Sequence, residues 1–256
     1  LLSVIFENEL VDKEYLGFCF DGTGYGEDGK IWGGEVFRLD KKGFNRVYHF
    51  DEFSLFGGEN SIKNIYLIAY SIILKYSLED EASKFLVNFD EKMLANFKKM
   101  EQKGLNLVKT SSVGRIFDAF GAIICGLFHS SFEGESGMRL EALYDKNLDA
   151  YYKFSLNDGV ICFKEAFKNA LKDEPRVAAT AFINGLADII FEISKKEKME
   201  ILLSGGVFQN KTLLELIYKK FTKANLKFHI NKKFCSNDSN VNLGQIYYFL
   251  STFSNK

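Results

Sequence analysis

Residues 15–35 read YLGFCFDGTGYGEDGKIWGGE, and this stretch decides the fold. The apolar run YLGFCFD ends at an acidic residue, Asp21, and is typical of a buried strand. Glycines then alternate with other residues before a second run begins at Ile31, which predicts a Gly-rich turn between two strands. Such a turn bares backbone amides for a phosphate, and a carboxylate beside it suits a metal ion. An ordinary hairpin turn capped by Asp21 is the alternative.

Two further runs, IWGGEVFRLD (31–40) and GFNRVYHFDEF (43–53), complete a predicted three-stranded antiparallel meander. From about Ser61 the apolar residues recur at three and four spacing, which predicts helices. Near the end, MEILLSGGVFQN (199–210) is a strand that runs into a Gly-Gly turn, followed by a helix, a strand and a last helix from about Asn240. We expect an α/β fold with a mixed sheet flanked by helices. The predicted segments are a sheet-containing lobe at 15–60 and 200–250 and a mainly helical portion at 61–199.

The segment LLSGGVFQN (202–210) is the second candidate ligand site. Gly205 and Gly206 stand at a strand-to-helix turn, where backbone without side chains lets a flat or anionic ligand come close to a helix N-terminus. Asn210 is placed to face that ligand, and a Cβ branch at Gly205 is expected to block its approach. A Gly pair needed only for strand and helix packing is the alternative.

Two polar regions can be interpreted either as ligand sites or as ordinary helix features. CSNDSNVNLGQ (235–245) opens the last helix, and its Asp238 is also a favourable helix N-cap. SSVGRIFDAF (111–120) and SFEGESGMRLEAL (131–143) contain small and charged residues that a helix with a charged surface would also explain. The residues in question there are Ser112, Gly114, Arg115, Asp118, Glu133, Gly134 and Met138.

The composition argues against several classes of protein. A net charge of −1 gives no basic face for nucleic acid. The four cysteines, the last of them Cys235, form no CxxC pair, which disfavours a zinc ribbon or a disulfide framework and fits a reducing cytoplasm. The three histidines stand alone, without HxxxH or HxxH spacing. No apolar run of about 18 residues and no signal peptide occur, so we expect a soluble protein without a membrane span.

The first ten residues, LLSVIFENEL, lack an initiator Met and read as an amphipathic helix with Leu1, Leu2, Ile5 and Phe6 on one side. A helix already in progress at the first residue predicts that the chain is part of a longer protein.

Taken in order, five segments resemble the C-terminal catalytic region of the hydrogenase-maturation carbamoyltransferases, the HypF family. The segments are FDGTGYGEDGKIWGGE, SSVGRIFDAF, FEGESGMRLE, LSGGVFQN and ND followed by LGQ, spanning roughly residues 15–246. The region is also similar to antibiotic O-carbamoyltransferases and tRNA threonylcarbamoyltransferases, which share the actin and sugar-kinase (RNase H-like) fold. The resemblance implies this Kae-like fold for residues 1–256, with a helical insertion and an incomplete N-terminal lobe.

The resemblance also implies the second step of a two-step reaction. In the family, ATP and carbamoyl phosphate first give carbamoyl adenylate in a separate domain. The region similar to this chain binds the adenylate beside a metal and passes the carbamoyl group to the C-terminal cysteine of the partner HypE, for the cyanide ligand of nickel-iron hydrogenase. A divalent ion there would polarise the carbonyl and offset developing charge. The acceptor thiolate comes from another chain, so no Cys and His pair is needed.

The family's motifs match this chain residue by residue. Asp21 and Asp238 match two carboxylate ligands of a divalent metal, iron or zinc, whose other ligands are histidines of an HHxAH motif expected immediately before Leu1. The phosphate turn is matched by Gly22, Thr23 and Gly24, and the adenosine motif by Gly205, Gly206 and Asn210. The segments that line ribose and adenine are matched by Ser112, Gly114, Asp118, Glu133 and Gly134.

The chain departs from the family in two places. It reads LFGGENSIKNIYLIAY (55–70) where the family has Pro-Gly-Gly-Asp followed by Pro and Arg, and Ile183 follows Phe182 where the family has His. Two alternatives stay open, an O-carbamoyltransferase acting on a small molecule and a metal-free nucleotide-binding module. Without the histidines and the other domains, we expect the chain alone to be inactive.

Overall fold

The computed structural model describes residues 1–40, 43–234, 236 and 238–253, and for residues 59, 238, 252 and 253 it describes the backbone alone. Cys235 lies outside the described residues. The strands are β1 (Tyr15–Tyr25), β2 (Ile31–Asp40), β3 (Gly43–Phe50), β4 (Phe53–Phe56), β5 (Leu107–Thr110), β6 (Ser155–Asn157), β7 (Val160–Cys162), β8 (Ile201–Ser204) and β9 (Phe228–His229). The helices are α1 (Leu2–Glu7), α2 (Glu59–Lys63), α3 (Tyr66–Tyr76), α4 (Ser83–Leu86), α5 (Glu91–Lys103), α6 (Val113–Cys125), α7 (Glu135–Leu143), α8 (Lys164–Ala170), α9 (Pro175–Glu197), α10 (Lys211–Lys223) and α11 (Val241–Phe253).

Across the described residues the strands form one mixed sheet in the order β6-β7-β3-β2-β1-β8-β9, and β4 and β5 join it through β2. The pairs β1·β2 and β2·β3 are antiparallel, which confirms the predicted meander. The pairs β1·β8 and β8·β9 are parallel, so the end of the chain returns to the centre of the sheet beside β1. The prediction of a mixed sheet flanked by helices is therefore confirmed.

The prediction that β1 ends at Asp21 in a Gly-rich turn is wrong. The strand continues to Tyr25, and the turn lies beyond it, where the amide of Gly26 donates to the carbonyl of Lys30 at 2.9 Å. The register of β1 on β2 shifts between Phe20 and Gly24, so that three residues of β1 lie opposite Gly33 alone. Alternating glycines here permit a bulge within a strand, which re-aims side chains without ending the pairing. We call residues 21–23 the β1 bulge.

Four short strands, β4 to β7, were not predicted from the sequence. The predicted run 43–53 is split into β3 and the start of β4, and β4 pairs with β5. Strands β6 and β7 form a hairpin of three residues each. Such short strands show no usable periodicity. The division into a sheet-containing lobe and a mainly helical portion stays a prediction.

Helix α9 is the central core helix. It begins at Pro175 after a cap by Glu174, a favourable order because proline needs no amide partner in the first turn. Its Phe182 stacks on Phe120 at 4.0 Å between ring centroids and meets Phe117 edge-on at 4.9 Å. Among the described helices, α9 alone is long and apolar enough to cross a membrane. However, 72% of its most apolar stretch is buried inside the fold. Its apolarity therefore has an ordinary explanation in core packing.

The predicted N-terminal helix is present as α1, and of the residues expected on its apolar side Leu1, Leu2 and Ile5 pack on a buried cluster whereas Phe6 is exposed. Val4 and Ile5 are buried, whereas Phe6 is 43% exposed and only touches Tyr247 of α11 at 5.8 Å between ring centroids. Val4 and Ile5 share a buried cluster with Tyr15, Leu39 and Leu202 of the sheet, so this six-residue helix packs on the sheet as well as on α11.

Candidate active site

The parallel pairing of β1 and β8 brings two of the predicted segments together. Cys19 lies opposite Ser204, so the β1 bulge and the Gly-Gly turn come directly after this pair and lie side by side. Gly205 has φ +106°, and a Cβ there would lie 2.1 Å from the carbonyl oxygen of Phe20. Only glycine fits this approach. A Cβ on Gly206 would lie 3.2 Å from Oδ1 of Asp21, so the carboxylate stands directly against the turn.

The start of α6 is held against the same bulge. Ser112 caps the helix by accepting from the amide of Arg115 at 3.1 Å. Its hydroxyl also lies 2.6 Å from the carbonyl oxygen of Asp21 and 2.8 Å from that of Gly22, which it can reach as a donor. A Cβ on Gly114 would lie 2.7 Å from Cα of Gly22, so the helix and the bulge touch through backbone. The positive end of the α6 dipole therefore points at the bulge.

A cavity of about 540 Å³ opens between these elements, α7 and the start of α10. Of the predicted site residues it is lined by Gly22, Gly114, Asp118, Glu133, Gly134, Gly206 and Asn210. Ser112 and Gly205 stand behind this lining and hold its walls, as described above. Thr23 lies in the β1 bulge and Gly24 directly after it. The structure thus brings the phosphate, adenosine and ribose segments of the sequence analysis to one cavity.

A buried ion pair forms the floor of the cavity. Nη1 of Arg115 lies 2.9 Å from Oδ2 of Asp118, and both side chains are less than one-tenth exposed. The other carboxylate oxygen of Asp118 accepts from the hydroxyl of Ser136 at 2.8 Å. Burial raises the pKa of the Asp118 carboxyl, and the Arg115 charge and the Ser136 hydrogen bond offset only part of that rise. The guanidinium also lies against Gly22, with Nη2 3.2 Å from where its Cβ would be.

Two buried side-chain nitrogens among the described residues of the cavity lining donate no hydrogen bond. They are Nε of Arg115 and Nδ2 of Asn210. The Oδ1 atom of Asn210 is already used, because it caps α10 by accepting from the amide of Leu213 at 2.9 Å. A buried polar atom without a partner costs about 1–3 kcal/mol, so the cavity is built for a polar occupant.

Sequence reasoning missed several lining residues. Glu141 both lines the cavity and accepts from the amide of Thr212 at 2.7 Å, which closes the first turn of α10. Gly134, Met138 and Glu141 stand at four and three spacing along α7, and that spacing on a helix was the available signal. The other lining residues that the sequence did not single out are Phe117, Gly137, Val207, Gln209 and Ser239.

The predicted metal site rests on Asp21 and on Asp238, whose side chain is outside the described part of the structure. The backbone of Asp238 begins a 3₁₀ turn, and the next residue, Ser239, lines the cavity. Within the described ranges no group of three or more His, Cys, Asp or Glu side chains could hold a metal. The carboxylate of Asp21 at the cavity edge has the oxygen chemistry that suits a divalent ion.

The three histidines lie in other parts of the fold. His49 bonds through Nδ1 with the carbonyl oxygen of Phe50 at 2.9 Å, and His129 bonds with Oδ1 of Asn64 at 2.8 Å. Nε2 of His229 lies 3.2 Å from a carboxylate oxygen of Glu200. Each therefore has a structural partner.

Comparison with known proteins gives this arrangement a family. Residues 17–245 match the family model described as "Carbamoyltransferase, Kae1-like Domain, second subdomain". The chain belongs to this family. The carbamoyltransferase HypF of Synechocystis is 30% identical over 96% of this chain and 35% of its own length. The probable carbamoyltransferase HypF of Methanocaldococcus jannaschii is 29% identical over 95% of this chain and 33% of its own length. The chain therefore spans about a third of the length of these relatives.

Solved structures agree with the family match. A full-length HypF in a phosphate- and nucleotide-bound form superposes with a TM-score of 0.89 at 29% identity, over 99% of this chain and 42% of the other. HypF of T. kodakarensis superposes with a TM-score of 0.83 at 26% identity, over 99% of this chain and 36% of the other. These matches confirm the fold that the sequence motifs implied, the Kae1-like fold.

Proposed function

We propose that this chain is the adenylate-binding part of a hydrogenase-maturation carbamoyltransferase. The observation that carries the proposal is the cavity itself, with Arg115 Nε and Asn210 Nδ2 buried in its lining without hydrogen-bond acceptors. Two unpaired donors in a cavity walled by glycine backbone suit the polar edges of a nucleotide. The relatives named carbamoyltransferase HypF, and the nucleotide-bound form of one HypF structure, support this choice of ligand.

The proposed roles follow from position. Gly22, Thr23 and Gly24 would hold the phosphate, because the N-terminus of α6 points at the β1 bulge and favours negative charge there. Gly206 and Asn210 would hold the adenosine, since the 3₁₀ turn after β8 forms one wall of the cavity, and Gly205 would fix the start of that turn against Phe20. Ribose and adenine would further contact Gly114, Asp118, Glu133 and Gly134, and Ser112 would hold the wall behind them.

The proposed substrate is carbamoyl adenylate, made from ATP and carbamoyl phosphate. The cysteine thiolate of the partner HypE would attack the carbamoyl carbon, so that a C–S bond forms and the C–O bond to AMP breaks. A divalent ion, iron or zinc, held by Asp21, Asp238 and histidines of a neighbouring segment would polarise that carbonyl. This chain contributes the cavity that orients the adenylate and the N-terminus of α6, whose dipole would favour its phosphate. The reaction would take place in the cytoplasm, where the acceptor thiol stays reduced.

Nucleotide binding can be tested on the chain by calorimetry with ADP as the probe. We expect saturable binding at one site, weakened roughly tenfold or more by Asn210→Asp, since a charge-assisted or neutral hydrogen bond is worth about 1–3 kcal/mol. The change keeps an oxygen to cap α10 but removes the Nδ2 donor. Asn169→Asp on the exposed side of α8 is the matched control and should bind as the wild type does. No binding by the wild type, or equal loss in both variants, would contradict the proposal.

A further inference from the structure

Glu35 is a charged residue in the interior, only 1% exposed, one strand away from the cavity. Its Oε2 accepts from the amides of Gly33 at 2.5 Å and Gly34 at 2.7 Å. Its Oε1 accepts from Nη2 of Arg46 at 3.1 Å and from the hydroxyl of Ser111. Both carboxylate oxygens are therefore fully used, which is what a buried charge requires.

Of the two amides that Glu35 holds, that of Gly33 lies opposite the β1 bulge and that of Gly34 lies opposite Phe20, the residue before the bulge. Gly33 is the single residue of β2 that faces the three bulge residues. A Cβ on Gly33 would lie 2.5 Å from the carbonyl oxygen of Asp21 and 3.0 Å from Cβ of Ser112. Gly33 therefore fills the space between the bulge and the cap of α6, and a shift of its backbone would move both.

Ser111 connects Glu35 to the start of α6. Its amide donates to the carbonyl oxygen of Ile31 at 3.1 Å, which fixes its backbone to β2. The next residue, Ser112, contacts the bulge carbonyls and caps the helix. The Glu35 carboxylate thus links β2 to Ser111, the residue before the α6 cap Ser112. Glu35 itself does not line the cavity.

Arg46 supplies the balancing charge from the outer side. Its guanidinium lies over the ring of Trp32 at 4.5 Å from the centroid. It also lies 3.6 Å from a carboxylate oxygen of Asp28 and 3.9 Å from one of Glu52. These contacts fix Arg46 in one orientation, which in turn holds Glu35 in place.

We propose that Glu35 is a positioning residue that sets the β1 bulge, and with it Asp21 and Gly22, at the edge of the cavity. The bulge has lost its regular pairing to β2, so the peptide groups of residues 21–23 depend on what stands opposite them. Glu35 fixes that opposing backbone by gathering two amides, a hydroxyl and a guanidinium on one carboxylate. The consequence for phosphate binding rests on the proposed function, but the positioning of the bulge does not.

The test is hydrogen exchange of the amides of residues 20–24 in Glu35→Gln. Gln keeps the shape but removes the charge and replaces one acceptor by a donor, so exchange in the bulge should rise roughly tenfold, the change that about 1.4 kcal/mol produces. The amides of β8 should exchange as in the wild type. The matched control is Glu197→Gln, which removes another buried carboxylate bonded to an arginine, Arg38, far from the bulge. Its bulge exchange should stay at the wild-type rate.

Ser111→Ala is the second variant, because it removes one donor and leaves the carboxylate intact, and it serves if Glu35→Gln does not fold. Unchanged exchange at residues 20–24 in the variant that folds would overturn the proposal, and so would an equal rise in β8, which would show a general structural role. ADP binding is measured on the same samples. It should be weaker in a variant whose amides at residues 20–24 exchange faster. If the wild type binds no ADP, the proposed function fails, while the exchange comparison still decides the role of Glu35.

Discussion

Asp21 and Gly206 meet at the edge of the cavity, with Oδ1 of Asp21 only 3.2 Å from the place a Cβ on Gly206 would take. Gly206→Ala should displace the carboxylate by a few tenths of an ångström while leaving the sheet intact. We expect weaker ADP binding by calorimetry and a midpoint of thermal unfolding close to that of the wild type. Gly43→Ala, where a new Cβ meets nothing within 4 Å, is the control. Equal ADP affinity in both variants would mean that this edge does not contact the ligand.

Gly205→Val should act on folding rather than on the ligand. From the sequence alone we expected a Cβ branch here to block a bound base. In the structure the new Cβ would run into the carbonyl oxygen of Phe20 at 2.1 Å, at a φ of +106° that valine does not tolerate. The free energy of unfolding, measured by urea titration, should fall by about 2 kcal/mol or more. A variant with wild-type stability that has lost ADP binding would favour the earlier interpretation.

Asp118→Asn should change how stability depends on pH. Burial raises the pKa of Asp118 in the folded protein, so the native state binds more protons than the unfolded chain. The stability linked to this group is therefore fully present below the unfolded pKa of about 3.9 and is lost as pH rises through the higher folded pKa. The variant lacks that loss, so its free energy of unfolding relative to the wild type should increase as pH is raised from about 4.

Urea titrations of Asp118→Asn and the wild type at a series of pH values measure this difference. Ser136→Ala removes the hydrogen bond that lowers the pKa of this carboxyl. The free energy of unfolding of this variant should therefore fall more with rising pH than that of the wild type. A difference that shrinks with rising pH would show that the Arg115 charge outweighs burial.

The metal proposal predicts that Asp21 and Asp238 bind the same ion, so replacing either one should lower the amount of bound metal. In a chain extended by an HHxAH segment, Asp21→Asn and Asp238→Asn should each lower the iron or zinc retained after dialysis, measured by elemental analysis. A carboxylate is a stronger ligand for a divalent ion than an amide because it carries charge. Glu197→Asn, far from the cavity, should retain the full metal content. If both aspartate variants also keep full metal, neither carboxylate is a ligand.

The sequence predicted the larger features of the fold because they rest on long periodic runs. The meander of β1 to β3 and the β8 to α10 unit follow from apolar runs and glycine punctuation that span many residues. The β1 bulge could not be predicted, since the same alternating glycines also describe a turn. What selects the bulge is the opposing backbone of Gly33 and the buried carboxylate of Glu35, both of which act only after β2 has paired.

The candidate site was predictable to the extent that its residues sit in recognisable motifs. Gly22, Gly114 and Gly206 stand out because glycine serves close backbone approaches. Gln209 gave no signal, and Glu141 gave only its helical spacing from Met138, because a Glu on a helix is ordinary in sequence and this one acquires a role only when α7 and α10 meet.

The most direct test of the account is a crystal structure of this chain grown with ADP. We predict that the nucleotide occupies the cavity between α6, α7 and the turn after β8, with its phosphates against the β1 bulge. Nδ2 of Asn210 and Nε of Arg115, which have no hydrogen-bond acceptor now, should each gain one at about 3 Å, from the ligand or a water it holds. ADP bound elsewhere, or bound there while both nitrogens stay without an acceptor, would contradict the account.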